Sequence, residues 1–137
     1  MKEILEWPET VSVGQVPHQD VLALNEEFTE KIAAYRSAGR RVCGQSFTGL
    51  PREDIDAYVA GGVTGDLGCK TYDDILTRLR AGLFLQLVEA PAGARRNLGR
   101  MLEGVVRQGL STRNCGFCVD DANVHDIVSE GFGWLAA

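Results

Sequence analysis

Thr71-Tyr-Asp-Asp-Ile-Leu-Thr-Arg-Leu-Arg-Ala-Gly-Leu-Phe-Leu-Gln-Leu-Val88 reads as a helix handed directly to a strand. Thr71 and Asp74 have the form of a capping box, with a carboxylate one methylene shorter than the usual Glu. Ile75, Leu76 and Leu79 recur at helical spacing, and Gly82 stands where the chain has to leave the helix. Leu83 to Val88 is a short run broken only by Gln86, the pattern of a strand covered on both faces. A capped helix closed by glycine and followed at once by such a strand is part of a βαβ unit.

The same alternation extends in both directions. Upstream, residues 20–38 place Val21, Leu24, Phe28, Ile32 and Tyr35 on one stripe of a single expected helix, with Gly39 as its left-handed stop. Arg41 to Gln45 is a short strand. Pro51 suits the first turn of a helix that carries Ile55, Tyr58 and Val59 and ends at Gly61-Gly62. Val63 to Asp66 is a second brief strand. Downstream, residues 92–108 form an expected helix with Leu98, Met101, Leu102 and Val105 on one face, then a strand at 115–119 and a closing helix from Val124 to Glu130. A fifth strand is expected at residues 2–6. Strands alternating with helices imply right-handed crossovers and a parallel sheet. In such sheets chemistry collects at the carboxyl ends of the strands, which here carry Gln45, Asp66, Glu89 and Asp120.

Composition bounds the function classes. The 137 residues make one domain, with 45% hydrophobic and 24% charged residues, so disorder and collagen-like repeats are excluded. Net charge is −5 and no basic run exceeds Arg40-Arg41, which argues against a nucleic-acid partner. No apolar stretch approaches the roughly 20 residues of a membrane span. The opening Met1-Lys-Glu-Ile-Leu-Glu6 has no apolar leader region, so the expected location is the cytoplasm, and the four Cys are expected as reduced thiols.

Several groups could carry chemistry. Asp120-Asp121 follows a strand, where a carboxylate can ligate a divalent ion or take a proton from metal-bound water; equally, one Asp caps the next helix and the other is solvated. Cys115-Gly-Phe-Cys118 has redox or zinc spacing, but inside a strand its thiols point to opposite faces, as two structural cysteines would. His18 in an N-terminal loop and His125 in the last helix read as solvated imidazoles. Arg95-Arg96-Asn97 is placed to hold an anionic or purine-like ligand, or to line an exposed helix face. Gly61-Gly62, Gly65 and Gly68 suggest a flexible loop and match no phosphate-binding fingerprint.

Residues 41 to 131 resemble the C-terminal half of the catalytic barrel of adenine deaminases, in the amidohydrolase superfamily. The resemblance runs through Leu50-Pro-Arg-Glu-Asp-Ile-Asp-Ala-Tyr-Val-Ala-Gly-Gly62, Asp66 and Cys69, then Thr71 to Gly82, Arg96-Asn97-Leu98, Phe117-Cys-Val-Asp-Asp121 and Glu130-Gly131. Residues 1–40 match more loosely, with Glu3 and Trp7-Pro8 resembling the fourth strand and its turn. What the resemblance implies is an α/β fold, half of a (βα)8 TIM-type barrel. It would be one domain over residues 1–137, with four to five parallel strands and helices on the convex face. It implies adenine deamination by a metal-activated water, with Zn, Mn or Fe as the metal. Asp120 matches the last-strand aspartate, a ligand and proton shuttle, and Glu3 the fourth-strand carboxylate ligand. The other ligands fail to match. Gln45-Ser-Phe-Thr48 replaces a His-Ala-Pro-Gly context, and Leu67-Gly68 stands where a metal-binding His and a Glu belong.

Two carboxylates without imidazoles cannot hold a catalytic ion, so no cofactor is expected in this chain and no deamination by it alone. A ligand-binding or assembly module is the expectation. The alternative is a metal-dependent amino-purine deaminase completed by a partner chain or oligomer. A half-barrel leaves two open strand edges and an uncovered inner face, which argues for a homo-oligomer or a complementary half-barrel partner. A third reading, a small doubly wound binding domain, requires helices on both faces of the sheet.

Overall fold

The structure is a computed structural model that describes residues 2–89, 98–120 and 124–130. In chain order the elements are α1 (Lys2–Leu5), β1 (Ser12–Pro17), α2 (His18–Leu22), α3 (Glu26–Ser37), β2 (Arg41–Gln45) and α4 (Arg52–Ala60). They continue with β3 (Gly65–Asp66), α5 (Tyr72–Arg80), β4 (Phe84–Glu89), α6 (Leu98–Arg107), β5 (Cys115–Val119) and α7 (Val124–Glu130). The capping box is formed: the Thr71 hydroxyl accepts from the Asp74 N–H at 3.1 Å, and the Asp74 carboxylate accepts from the Thr71 N–H at 3.0 Å. Gly82 leaves α5 at φ +85°, as the helix stop requires.

The five strands lie in the order β1-β2-β3-β4-β5, and every pairing is parallel. Sheet order equal to chain order decides the architecture. With right-handed crossovers throughout, each connecting helix returns to the same face. A doubly wound sheet must reverse its strand order at a switch point, so that reading is excluded. One core cluster joins strand residues Val16, Val42, Leu85 and Leu87 to Ile32 and Tyr35 of α3, Ile55 and Tyr58 of α4, Ile75 of α5, and Met101 and Val105 of α6. All four helices therefore cover one face, as in half of a barrel. The register puts Cys43 beside Gly65 and Phe84, and Val88 beside Cys118, all on the opposite face.

Two elements differ from expectation. Residues 2–5 form the short helix α1 rather than a strand, and the fifth strand is β1. Lys-Glu-Ile-Leu lacks the period-two alternation of a strand, whereas Val11, Val13 and Val16 are β-branched and Val16 is buried at the core. The single helix expected over 20–38 is two helices. Leu24 takes φ +54°, and the Asn25 side chain accepts the Glu27 N–H at 3.1 Å, capping α3 and ending the earlier stripe. Leu24, placed on the apolar stripe by its spacing, is exposed. Helix α6 begins at Leu98; the expected turns over residues 92–97 lie outside the described residues.

A candidate site at the carboxyl edge of the sheet

Beneath the carboxyl edge lies a fully buried ionic cluster. Asp66 ends β3 and Arg78 comes from α5; both side chains are 0% exposed, with Arg78 Nε donating to Asp66 Oδ2 at 2.8 Å. Asp66 also accepts from the Ser46 N–H at 2.9 Å and the Ser46 hydroxyl at 2.6 Å. Arg78 Nη2 donates to Ser46 Oγ at 2.6 Å and to the Phe47 carbonyl at 2.7 Å, while Nη1 donates to Asp74 Oδ1 at 3.1 Å. Asp74 in turn accepts from Thr48 Oγ1 at 2.5 Å, Gly49 N–H at 2.8 Å and Lys70 N–H at 3.1 Å. Burial pushes the Asp74 carboxyl up, but the hydrogen bonds from Thr48, Gly49, Lys70 and Thr71 outweigh it and hold its pKa at about 2. The cluster clamps residues 46–49, the loop after β2, onto β3 and α5. Sequence reading missed Arg78. The available signal was that Asp74 and Arg78, four apart, flank Ile75 on the stripe of α5 that faces the core.

The loop is packed from the other side by glycine. An ideal Cβ at Gly68 would stand 2.0 Å from the Ser46 carbonyl oxygen, so no other residue fits without moving the clamped backbone. Gly65 is buried within β3, and the expectation of a flexible glycine loop is corrected: this stretch is close-packed backbone. His18 is also corrected. It opens α2 directly after β1 and is 5% exposed, its ring edge-on to Phe47 at 4.7 Å, with no partner for Nδ1 among the described residues. Phe47 itself is largely exposed.

On the face opposite α3, α4, α5 and α6, Cys43 Sγ accepts a hydrogen bond from Gln86 Nε2 at 3.3 Å, and the Arg41 guanidinium lies 5.6 Å from the Phe84 ring centroid. Burial raises the Cys43 thiol pKa, and the charges of Asp66 and Cys118 add to it. Burial, then Asp120, raises Cys118, and burial raises Cys115. Cys69, buried beside α5, is pushed up to about 12 by burial, with Arg78 opposing. All four thiols are shifted upward, away from the thiolate form that a nucleophile or redox centre uses. Cys115 and Cys118 pair with Leu85 and Val88 respectively and so point to opposite faces.

The donors at the strand ends do not fit the metal set that the resemblance implies. Gln45 is exposed at the end of β2 and offers only an amide; Leu67, after β3, has no lone pair. Both Asp66 oxygens are engaged by Ser46 and Arg78. Glu3 sits exposed on α1 and not on a strand, and Asp120 is half-buried just after β5. Among the described residues no three His, Cys, Asp or Glu side chains gather as ligands. His125 is exposed on α7; Asp121 and Arg95-Arg96-Asn97 lie outside the described residues. No described helix is long and apolar enough to cross a membrane.

No protein-family model matches the chain. Curated relatives do. The chain is 30% identical over 129 residues to an adenine deaminase of Desulforamulus reducens, an alignment covering 94% of this chain and 21% of that protein. It is 35% identical over 131 residues to an adenine deaminase of Listeria innocua, covering 96% and 20%, and 28% identical over 132 residues to adenine deaminase 3 of Rhizobium meliloti, covering 96% and 22%. The chain thus spans about a fifth of the length of the curated relatives it matches, and it is similar to them over nearly all of its own.

Proposed function

We propose that this chain is an adenine-deaminase-like amidohydrolase fragment that does not deaminate by itself and serves as a ligand-binding or assembly module. One observation carries the reading. The Gly68 backbone is packed against the Ser46 carbonyl, in the loop pinned by Asp66, Asp74 and Arg78. The resemblance asks for a Glu at that position and an imidazole beside it, where Leu67 stands. The packing has no room for the first, and Leu67 cannot ligate. The edge has become a structural joint where the resemblance expects ligands. The four free cysteines suit a reducing compartment, which is why we place the chain in the cytoplasm.

The test is metal content together with turnover. After exposure to Zn, Mn or Fe and desalting, elemental analysis of the purified chain is expected to find less than about a tenth of an equivalent. Ammonia release from adenine is expected at the uncatalysed rate. One bound equivalent with turnover overturns the reading.

The open edges of the sheet support a second reading, a metal-dependent deaminase completed by a second copy or a complementary half-barrel chain. Among the described residues β1 and β5 each pair on one side only. Large apolar side chains stand exposed near both: Ile4, Trp7 and Val11 before β1, and Phe117 on β5 with Val124 and Val128 on α7. In that assembly Asp120 and Glu3 would serve as ligands beside imidazoles from elsewhere. Mixing the chain with a candidate complement and recovering both turnover and bound metal would establish it.

A further inference from the structure

At the opposite, amino edge of the sheet lies an open cleft of about 380 Å³, between the end of α5 and the loop that leads into β5. Its apolar wall is Leu76, Leu79 and Leu110, and its polar wall is Arg80, Arg113 and Ser111. Leu79 and Leu110 are half-buried against the core, so that wall is fixed. Arg80 and Arg113 come from different elements and converge on one space. Among the described residues no carboxylate pairs with either; the ion pairs there use Lys31, Arg52, Arg78 and Arg107. Two guanidiniums facing one space and paired with no described carboxylate make a local positive patch in a chain of net charge −5.

We infer that this cleft binds a small phosphate-class anion carrying an apolar group, the phosphate between Arg80 and Arg113 and the apolar part against the leucines. Its volume falls in the range of small-molecule sites, and guanidinium forks match phosphate oxygens two at a time. The Ser111 hydroxyl adds a neutral donor. The last turn of α5 directs carbonyl dipoles toward this end, and Arg80 alone does little more than balance them. Arg113, brought by the loop, supplies the surplus positive charge. The site is independent of the carboxyl edge and of any deaminase chemistry, so its test stands apart from the proposal above.

Phenyl phosphate is the probe, titrated calorimetrically into the whole chain at constant ionic strength. Saturable binding is expected, with affinity falling at least about ten-fold in the Arg80→Ala/Arg113→Ala variant. Because both side chains are exposed, the variant is expected to keep its circular dichroism and thermal midpoint; Arg113→Glu alone serves as the second variant, with binding lost. Absence of saturable binding to the native chain overturns the assignment. So does undiminished affinity in either variant, or the same heat from chloride at equal ionic strength.

Discussion

Arg78 is a cation with no exposed surface, surrounded by Asp66, Asp74, Ser46 and the Phe47 carbonyl. Removing one partner of such a cluster leaves the others buried and uncompensated, which costs about 3–5 kcal/mol. Arg78→Ala is therefore expected to lower the urea-unfolding free energy by about that amount, with Ser46 and Phe47 released from α5. A loss under about 1 kcal/mol would show that water enters and solvates Asp66. Asp74 makes the cluster sensitive to acid. Its folded pKa of about 2 lies below the ordinary 3.8, so its contribution is complete above pH 4 and is lost as pH falls from about 4 to about 2. Its size is about 2 kcal/mol. Asp74→Asn should flatten that acid limb in denaturation measured at successive pH values, and an unchanged slope would remove Asp74 from the account.

At the scale of elements, glycine and the caps do the deciding. Gly68→Ala puts a methyl where the Ser46 carbonyl lies, and the carbonyl is held by a loop with seven hydrogen bonds to Asp66, Asp74 and Arg78, so the strain has no soft outlet. A destabilisation of about 1–3 kcal/mol is expected, read from the thermal midpoint. Asn25→Ala, which removes the cap of α3, should cost about 1 kcal/mol. Much of this scale was legible in the sequence. The Thr71 capping box, the stops at Gly39 and Gly82 and the strands around Val42, Leu85 and Phe117 follow from spacing and backbone freedom, which are local. What stayed hidden is one local cap and what distant residues impose. Leu24 fits the helical stripe and leaves it only because Asn25 bonds its own backbone. Gly68 reads as a loose loop until Ser46 arrives from 22 positions earlier in the chain. Arg78 reads as a surface residue until β3 closes over it. The candidate site shared that fate: its members come from β2, β3 and α5, and no run of sequence displays them together.

At the scale of the whole fold, the row of described strands is open at both ends. Phe117 stands on the outermost strand with Val124 and Val128 exposed on the helix that follows it, so self-association through this side is expected in solution. Light scattering coupled to size exclusion should report a species larger than one chain. Phe117→Lys, which places a charge on that edge, should shift it toward the monomer. A native chain that stays monomeric at high concentration would show that the edge is already protected. Because strand order in space repeats strand order along the chain, each strand leans only on its predecessor and its successor. Backbone amides should then exchange with deuterium in a gradient, slowest in β3 and quickening outward to both margins, so the molecule would loosen from its rims inward, like a fence losing its end posts first.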